Sequence, residues 1–256
     1  MYDLTCIVPL YGKNCEDVSL RMVSSLALQK TRFSVKYLFY YDDTVSIHTL
    51  TQIDNLFGRR GKDYSAVYSN KTCSGHKRNL GLRFAEANST YVWLLDQDDY
   101  LLRDDVIELI LQYLNGTNGE VFKVTFTVPD SIDEGNNQII HSIPTMPWQY
   151  VVRTDLISGY AFNEENEYGS DVPFSIRFLV MHDYMKVNED LSVTFKKILP
   201  AFKNSIYLYN YLNPNSYMSS HLTMKEEPKH SEMDYAYGEI RKVKEEKERQ
   251  EQNENH

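Results

Sequence analysis

A group of carboxylates, Asp96-Gln97-Asp98-Asp99, directly follows the apolar run Tyr91-Val92-Trp93-Leu94-Leu95 in this 256-residue chain. Carboxylates two residues apart at the end of a strand can converge on one hard cation. Such a cation prefers oxygen ligands and shares them with phosphates. It can bridge a diphosphate and neutralise the charge that develops when the diphosphate leaves. The same cluster would equally suit a turn and N-cap for a helix beginning near residue 104. A second acidic pair, Asp42-Asp43, stops another apolar run at residues 36–41. Asp171, two residues before Pro173, suits the cap of a helix with Pro in its first turn.

The elements that must carry these residues follow from periodicity. Short apolar runs at 4–9, 36–41, 66–68 and 91–95 read as strands. Between and after them, helical patterns run from Asn14 to about Lys30, through Leu50, Ile53 and Phe57 to Gly58, over 76–87, and from Val106 through Leu114 to Gly116. Strand and helix thus alternate through residue 116, which predicts a mostly parallel α/β sheet with helices on its faces. Ligands in such sheets sit at the carboxyl ends of strands, and both acidic clusters fall there. The pattern then changes. Phe122, Val124, Phe126 and Val128 alternate with polar residues and predict one half-exposed strand. Gly135-Asn136-Asn137 predicts a turn with a returning strand at 139–143. A helix is expected from Pro173 to about Met181, and a Tyr-rich strand over 205–212. The chain divides into residues 1–116, 117–224 and a charged tail, 225–256, whose weak stripe of Met233, Tyr237, Ile240 and Lys244 predicts a solvated helix that frays after Gln250 and is dispensable for chemistry.

Composition narrows the classes. Hydrophobic residues make up 42% of the chain, enough for a core. The formal net charge is -9, of which the tail, with seven Lys/Arg and ten Asp/Glu, carries -3. That balance weighs against a nucleic acid as the main partner, since no basic platform is available for phosphate backbones. No apolar run approaches the ~20 residues of a transmembrane helix, and the Met1-Tyr2-Asp3 start lacks the basic region of a signal peptide. The three cysteines form no CxxC pair, so a reduced cytoplasm is the expected compartment. A P-loop and a GxGxxG after a strand are both absent.

The stretch Gly75-His76-Lys77-Arg78-Asn79-Leu80-Gly81, followed by Tyr91–Leu95 and Asp96-Gln97-Asp98-Asp99, resembles family-two GT-A glycosyltransferases, with their Arg-Asn-x-Gly helix and a strand ending in Asp-x-Asp-Asp. Ile7-Val8-Pro9-Leu10-Tyr11, Gln29-Lys30-Thr31 and Tyr41-Asp42-Asp43-Thr44 are similar to further family segments, although the Gly-Ser after the family's Asp-Asp is missing. The resemblance spans about residues 4–220. It implies a GT-A fold and an inverting transfer of one sugar from a nucleotide diphosphate sugar, a UDP-sugar, to a glycan or other hydroxyl acceptor, with Mn2+ or Mg2+. By the resemblance, Pro9, Tyr11 and Asp43 (Asp42 as the alternative) surround base and ribose. Arg78 lies near the base or diphosphate, or is a surface charge on its helix. Asp96 touches the ribose side and Asp98 holds the metal. Asn79 is structural. The segment Trp148 to Arg153, then Phe162 to Asn166 and Gly169 to Phe174, is similar to the acceptor side. It aligns Asp171 with the catalytic base, Ser170 replacing the family's Glu, with Glu164, Glu165 and Glu167 as reserves. His221 corresponds to a late histidine that supplies a metal ligand in some GT-A enzymes. Two rival readings are a non-catalytic nucleotide or sugar binder on a degenerate GT-A fold and a sugar nucleotidyltransferase. The missing Gly-rich loop argues against the latter.

Overall fold

A computed structural model of the chain describes residues 1–12, 16–128, 146–165, 171–197, 199–209 and 230–254, without the side chains of 16–18, 171–172, 230–237, 239 and 254. Its centre is a six-stranded sheet built from β1 (Tyr2–Pro9), β2 (Val35–Tyr41), β3 (Asp63–Tyr68), β4 (Ser89–Leu94), β6 (Val121–Lys123) and β8 (Tyr150–Arg153), ordered β3-β2-β1-β4-β8-β6. The first four are parallel, and β8 runs antiparallel to both β4 and β6. The carboxyl ends of β1, β2 and β4 therefore open on one edge.

Side chains alternate across a strand, and the two faces bury separate cores. Leu4, Cys6, Val8, Tyr37, Phe39, Tyr91 and Trp93 face one side, where they meet α1 (Glu16–Ala27), α2 (Ile47–Gly58) and α4 (Val106–Thr117). Ile7, Leu38, Tyr40, Val92 and Leu94 face the other, under α3 (Ser74–Asn88), α5 (Asp171–Met181) and α6 (His230–Glu254). Burial on both faces is why these strands read as continuous apolar runs. The edge strand β3 buries none of its residues fully, alternating between exposed and half-buried positions.

Local chemistry sets the helix ends. The Ser46 hydroxyl accepts from the Thr49 amide at 3.2 Å and caps α2. Gln29 caps α4 from a distance: its Oε1 accepts from the Ile107 amide at 3.2 Å while its Nε2 donates to the Arg103 carbonyl at 2.5 Å. At the other end α4 runs past Gly116, the expected stop, to Asn118, which takes the left-handed conformation at φ 51°. Helix α3 lies so close to β1 that a Cβ on Gly81 would sit 2.6 Å from an Ile7 methyl, which accounts for glycine there.

Three expectations need correction. The single strand over 122–128 is two short pieces in different sheets: β6 belongs to the main sheet, whereas β7 (Phe126–Thr127) joins a small sheet, β5-β11-β7, with β5 (Tyr100–Leu101) and β11 (Tyr207–Leu208). The chain crosses between sheets after Val124, whose amide donates to the Gln149 carbonyl at 2.7 Å. The strand over 205–212 is, among the described residues, only β11. Finally, the tail helix is not solvated all round and continues to Glu254, because Ile240 and Val243 are buried in the second core. The residual hairpin β9 (Met185–Val187) and β10 (Val193–Phe195) follows α5. The turn at 135–137 and the strand at 139–143 fall outside the described residues. No helix among the described residues is long and apolar enough to cross a membrane.

Candidate functional site

The Asp96-Gln97-Asp98-Asp99 turn follows β4 directly, and its four side chains do different things. Asp96 accepts an ion-paired hydrogen bond from Arg78 Nη2 at 2.5 Å. Gln97 is buried, and its Oε1 accepts from the Tyr11 amide in the loop after β1 at 2.7 Å and from the Ser19 hydroxyl of α1 at 3.0 Å. Asp99 is buried and accepts from the Tyr207 hydroxyl at 2.5 Å, and the Tyr207 ring stacks on Trp148 at 4.7 Å. Burial first, and then the neighbouring Asp96 carboxylate, push the Asp98 carboxyl up to about 7. Two crowded carboxylates that repel each other fit a divalent cation, whose charge would relieve the repulsion. Among the described residues no three His, Cys, Asp or Glu side chains converge on one point.

Arg78 is not a surface charge. It is 4% exposed, and its guanidinium lies over the Phe162 ring at 5.3 Å. Phe162 in turn stacks on Phe174 of α5 at 4.0 Å. Asn79 secures the same segment: its Nδ2 donates to the Phe162 carbonyl at 2.9 Å and its Oδ1 accepts from the Phe162 amide at 2.8 Å. Glu164, expected to be a solvated loop charge, is held by three groups. It accepts from Asn79 at 3.0 Å, Lys71 at 2.7 Å and His76 at 2.8 Å. Led by the Asn79 bond, these partners pull its carboxyl down to about 2. Glu165 is exposed.

At the ends of β1 and β2 the two acidic neighbours part. Asp42 is buried, whereas Asp43 is exposed and accepts from the Tyr68 hydroxyl at 3.0 Å. Pro9 closes β1 opposite Tyr40. Helix α5 begins at Asp171, two residues before the expected start at Pro173, so Asp171 is its first residue rather than a flanking cap, and its side chain lies outside the described residues. His221, Ser170 and Glu167 lie outside them altogether. The structure thus brings Tyr11, Arg78, Asp96 and Asp98 to one end of the sheet through Gln97 and Asp96, with Asp43 at its rim. Gln97 was missed by the sequence reading. Its only signal was its place between aspartates.

A family model described as "Glycosyl transferase family 2" matches residues 5–177. Among solved structures, the S. aureus TarS 1–349 fragment in complex with UDP superposes with a TM-score of 0.62 at 15% identity, covering 94% of this chain and 80% of that one. The same fragment in complex with UDP-GlcNAc gives 0.63 at 18% identity, covering 85% and 61%. The mannosyltransferase PcManGT from Pyrobaculum calidifontis, in complex with GDP-Man and Mn2+, gives 0.58 at 10% identity, covering 95% and 76%. At these identities the likeness is one of fold. No curated protein matches the chain.

Proposed function

Because this chain belongs to glycosyl transferase family 2, and so is a glycosyltransferase with a GT-A fold, we propose that it transfers a single sugar from a UDP-sugar to an acceptor hydroxyl with inversion. The observation that carries this reading is the placement of the acidic turn. Asp96, paired with Arg78, and Asp98 follow β4 on the edge where β1 and β2 also end. An open sheet binds ligands on that edge.

In this reading Pro9, Tyr11 and Asp43 border the base and ribose, and Asp96 the ribose side. Arg78, fixed by Asp96 and Phe162, faces the diphosphate with a guanidinium suited to phosphate oxygens. Asp98, with His221, would hold Mn2+ or Mg2+. A bound divalent ion supplies neutralisation of charge on the leaving diphosphate. Asp171 takes the proton of the acceptor hydroxyl as the oxygen attacks the anomeric carbon from the face opposite the nucleotide. UDP in one structural neighbour, and GDP-Man with Mn2+ in another, support a nucleotide-sugar donor and a metal. The test is a panel of UDP- and GDP-sugars incubated with Mn2+ and assayed for slow donor hydrolysis. Consumption of one UDP-sugar is expected. Turnover of GDP-sugars alone would overturn the choice of base, and no turnover of any donor would overturn the whole reading.

A further inference from the structure

Lys77 stands one residue before Arg78 and points the other way. Its side chain is fully buried, with its ammonium donating to the Leu10 carbonyl at 2.6 Å and to Asp42 Oδ2 at 2.5 Å. The same ammonium lies 4.4 Å from the centre of the Tyr11 ring. Asp42 is drawn into the cluster from its other oxygen. Its Oδ1 accepts from the Thr44 amide at 2.8 Å and from the Thr44 hydroxyl. The loop after β1 is in turn pressed on this turn, since a Cβ on Gly12 would lie 2.0 Å from the Thr44 carbonyl oxygen. One ammonium on α3 therefore ties together the ends of β1 and β2, and with them the backbone on either side of Tyr11.

A lysine without exposed surface cannot itself touch a donor. Apolar replacement of a buried ion pair is often neutral or stabilising, so stability alone does not explain a charge here. What the arrangement supplies is geometry. The ammonium satisfies a carbonyl and a carboxylate and lies over an aromatic ring, and these groups come from two separate segments, the loop after β1 and the turn after β2. We propose that Lys77 is a positioning residue, which holds Tyr11 and the β2 turn at the spacing that a nucleoside requires. The proposal rests on the nucleotide-donor reading above. Burial pulls the Lys77 ammonium down while Asp42 raises it. Burial also works against the Asp42 carboxylate, but the bonds from Lys77 and Thr44 keep it below the usual range.

The test compares wild type, Lys77→Met and the double variant Lys77→Met/Asp42→Asn, which removes the carboxylate that the first change strands. Melting temperature, UDP affinity in Mn2+, and KM and kcat for donor hydrolysis are read for each. The single variant should melt lower and the double should recover. In both, UDP binding should weaken by about tenfold and KM should rise similarly, with kcat changed by less than about threefold. If Lys77→Met does not fold, the double variant carries the test. UDP binding within about twofold of wild type in a folded variant would reduce Lys77 to a structural role and overturn the proposal. Wild type that binds no UDP in Mn2+ would instead remove the donor reading, and the proposal with it.

Discussion

In the proposed reading Asp98 holds the metal and Asp171 is the base, and a variant of each separates binding from catalysis differently. Asp98→Asn removes the charge that a divalent ion needs while keeping shape, so UDP affinity should fall in Mn2+ and stay nearly constant without metal. Calorimetry under both conditions checks this, and equal affinity of the two proteins in Mn2+ would rule out Asp98 as a ligand. Asp171→Asn keeps the size of the side chain and removes one negative charge from the first turn of α5, so stability should fall by ~1 kcal/mol at most. Transfer should fall by about 10²- to 10⁴-fold, roughly 3–5 kcal/mol of barrier, with UDP affinity little changed. A loss under about tenfold would move the search for the base to Glu165 and Glu167, since Glu164 is occupied by Asn79, Lys71 and His76. Asp42-Asp43 and the Asp96–Asp99 cluster were legible as strand-end turns because they sit where apolar runs stop, whereas Asp171 was singled out by its place before Pro173 and by the family resemblance. Lys77 and Gln97 were not, because a lysine on a helix and an amide in a turn are ordinarily solvated. Only the tertiary contact with strand ends far away in sequence buries them.

At the scale of elements, α3 joins the donor edge to the segment before α5. Arg78 and Asn79 face Phe162, and Glu164 closes the join. Glu164 gives a pH test with a definite sign. Its carboxyl lies at about 2 in the fold against an ordinary 4.5, so its ionised form stabilises the fold. That contribution is complete above 4.5 and disappears as pH falls toward about 2. Glu164→Gln should therefore melt below wild type at neutral pH, and the two curves should converge near pH 2. A constant difference across that window would show that the carboxylate charge is not what holds the segment. The alternation of strands and helices up to α4 was readable because each apolar run is bounded by turn residues. The split of residues 122–128 between two sheets was not, since the alternation of Phe122, Val124, Phe126 and Val128 is unbroken. The Val124 amide still continues the β6–β8 register to the Gln149 carbonyl, and the division comes one residue later, where the Thr125 carbonyl accepts from the Ile206 amide of the small sheet.

At the scale of the whole molecule, the tail extends the layer that covers one face of the sheet. Its charged composition suggested a solvated helix because only two of its apolar residues, Ile240 and Val243, bury deeply among the described positions. Charged residues flank that contact and add to it. Arg177 of α5 pairs with Glu246 at 2.6 Å, and Lys247 reaches the Met181 carbonyl at 3.3 Å and Asp183 at 3.5 Å. A cation at the last carbonyls of α5 also complements that helix's dipole. Since α5 begins at Asp171, α6 braces the helix whose first residue is the proposed base, and the expectation that the tail is dispensable gives way to the opposite one. Val243→Ala removes two buried methyl groups and should cost about 2 kcal/mol, or roughly 4–8 °C in melting temperature for a chain of this size. Deletion of residues 230–256 should go further, lowering the melting temperature and reducing transfer at least about tenfold, whereas UDP affinity, which the proposed reading places at the carboxyl ends of β1, β2 and β4, should change little. The comparison is made on protein shown to be folded at the assay temperature. Transfer equal to wild type in such a truncation would mean that α5 holds Asp171 without help. A parallel loss of UDP affinity would mean that the donor edge and the α5–α6 layer are coupled through Phe162 and Phe174, whose stacked rings are the direct contact between them.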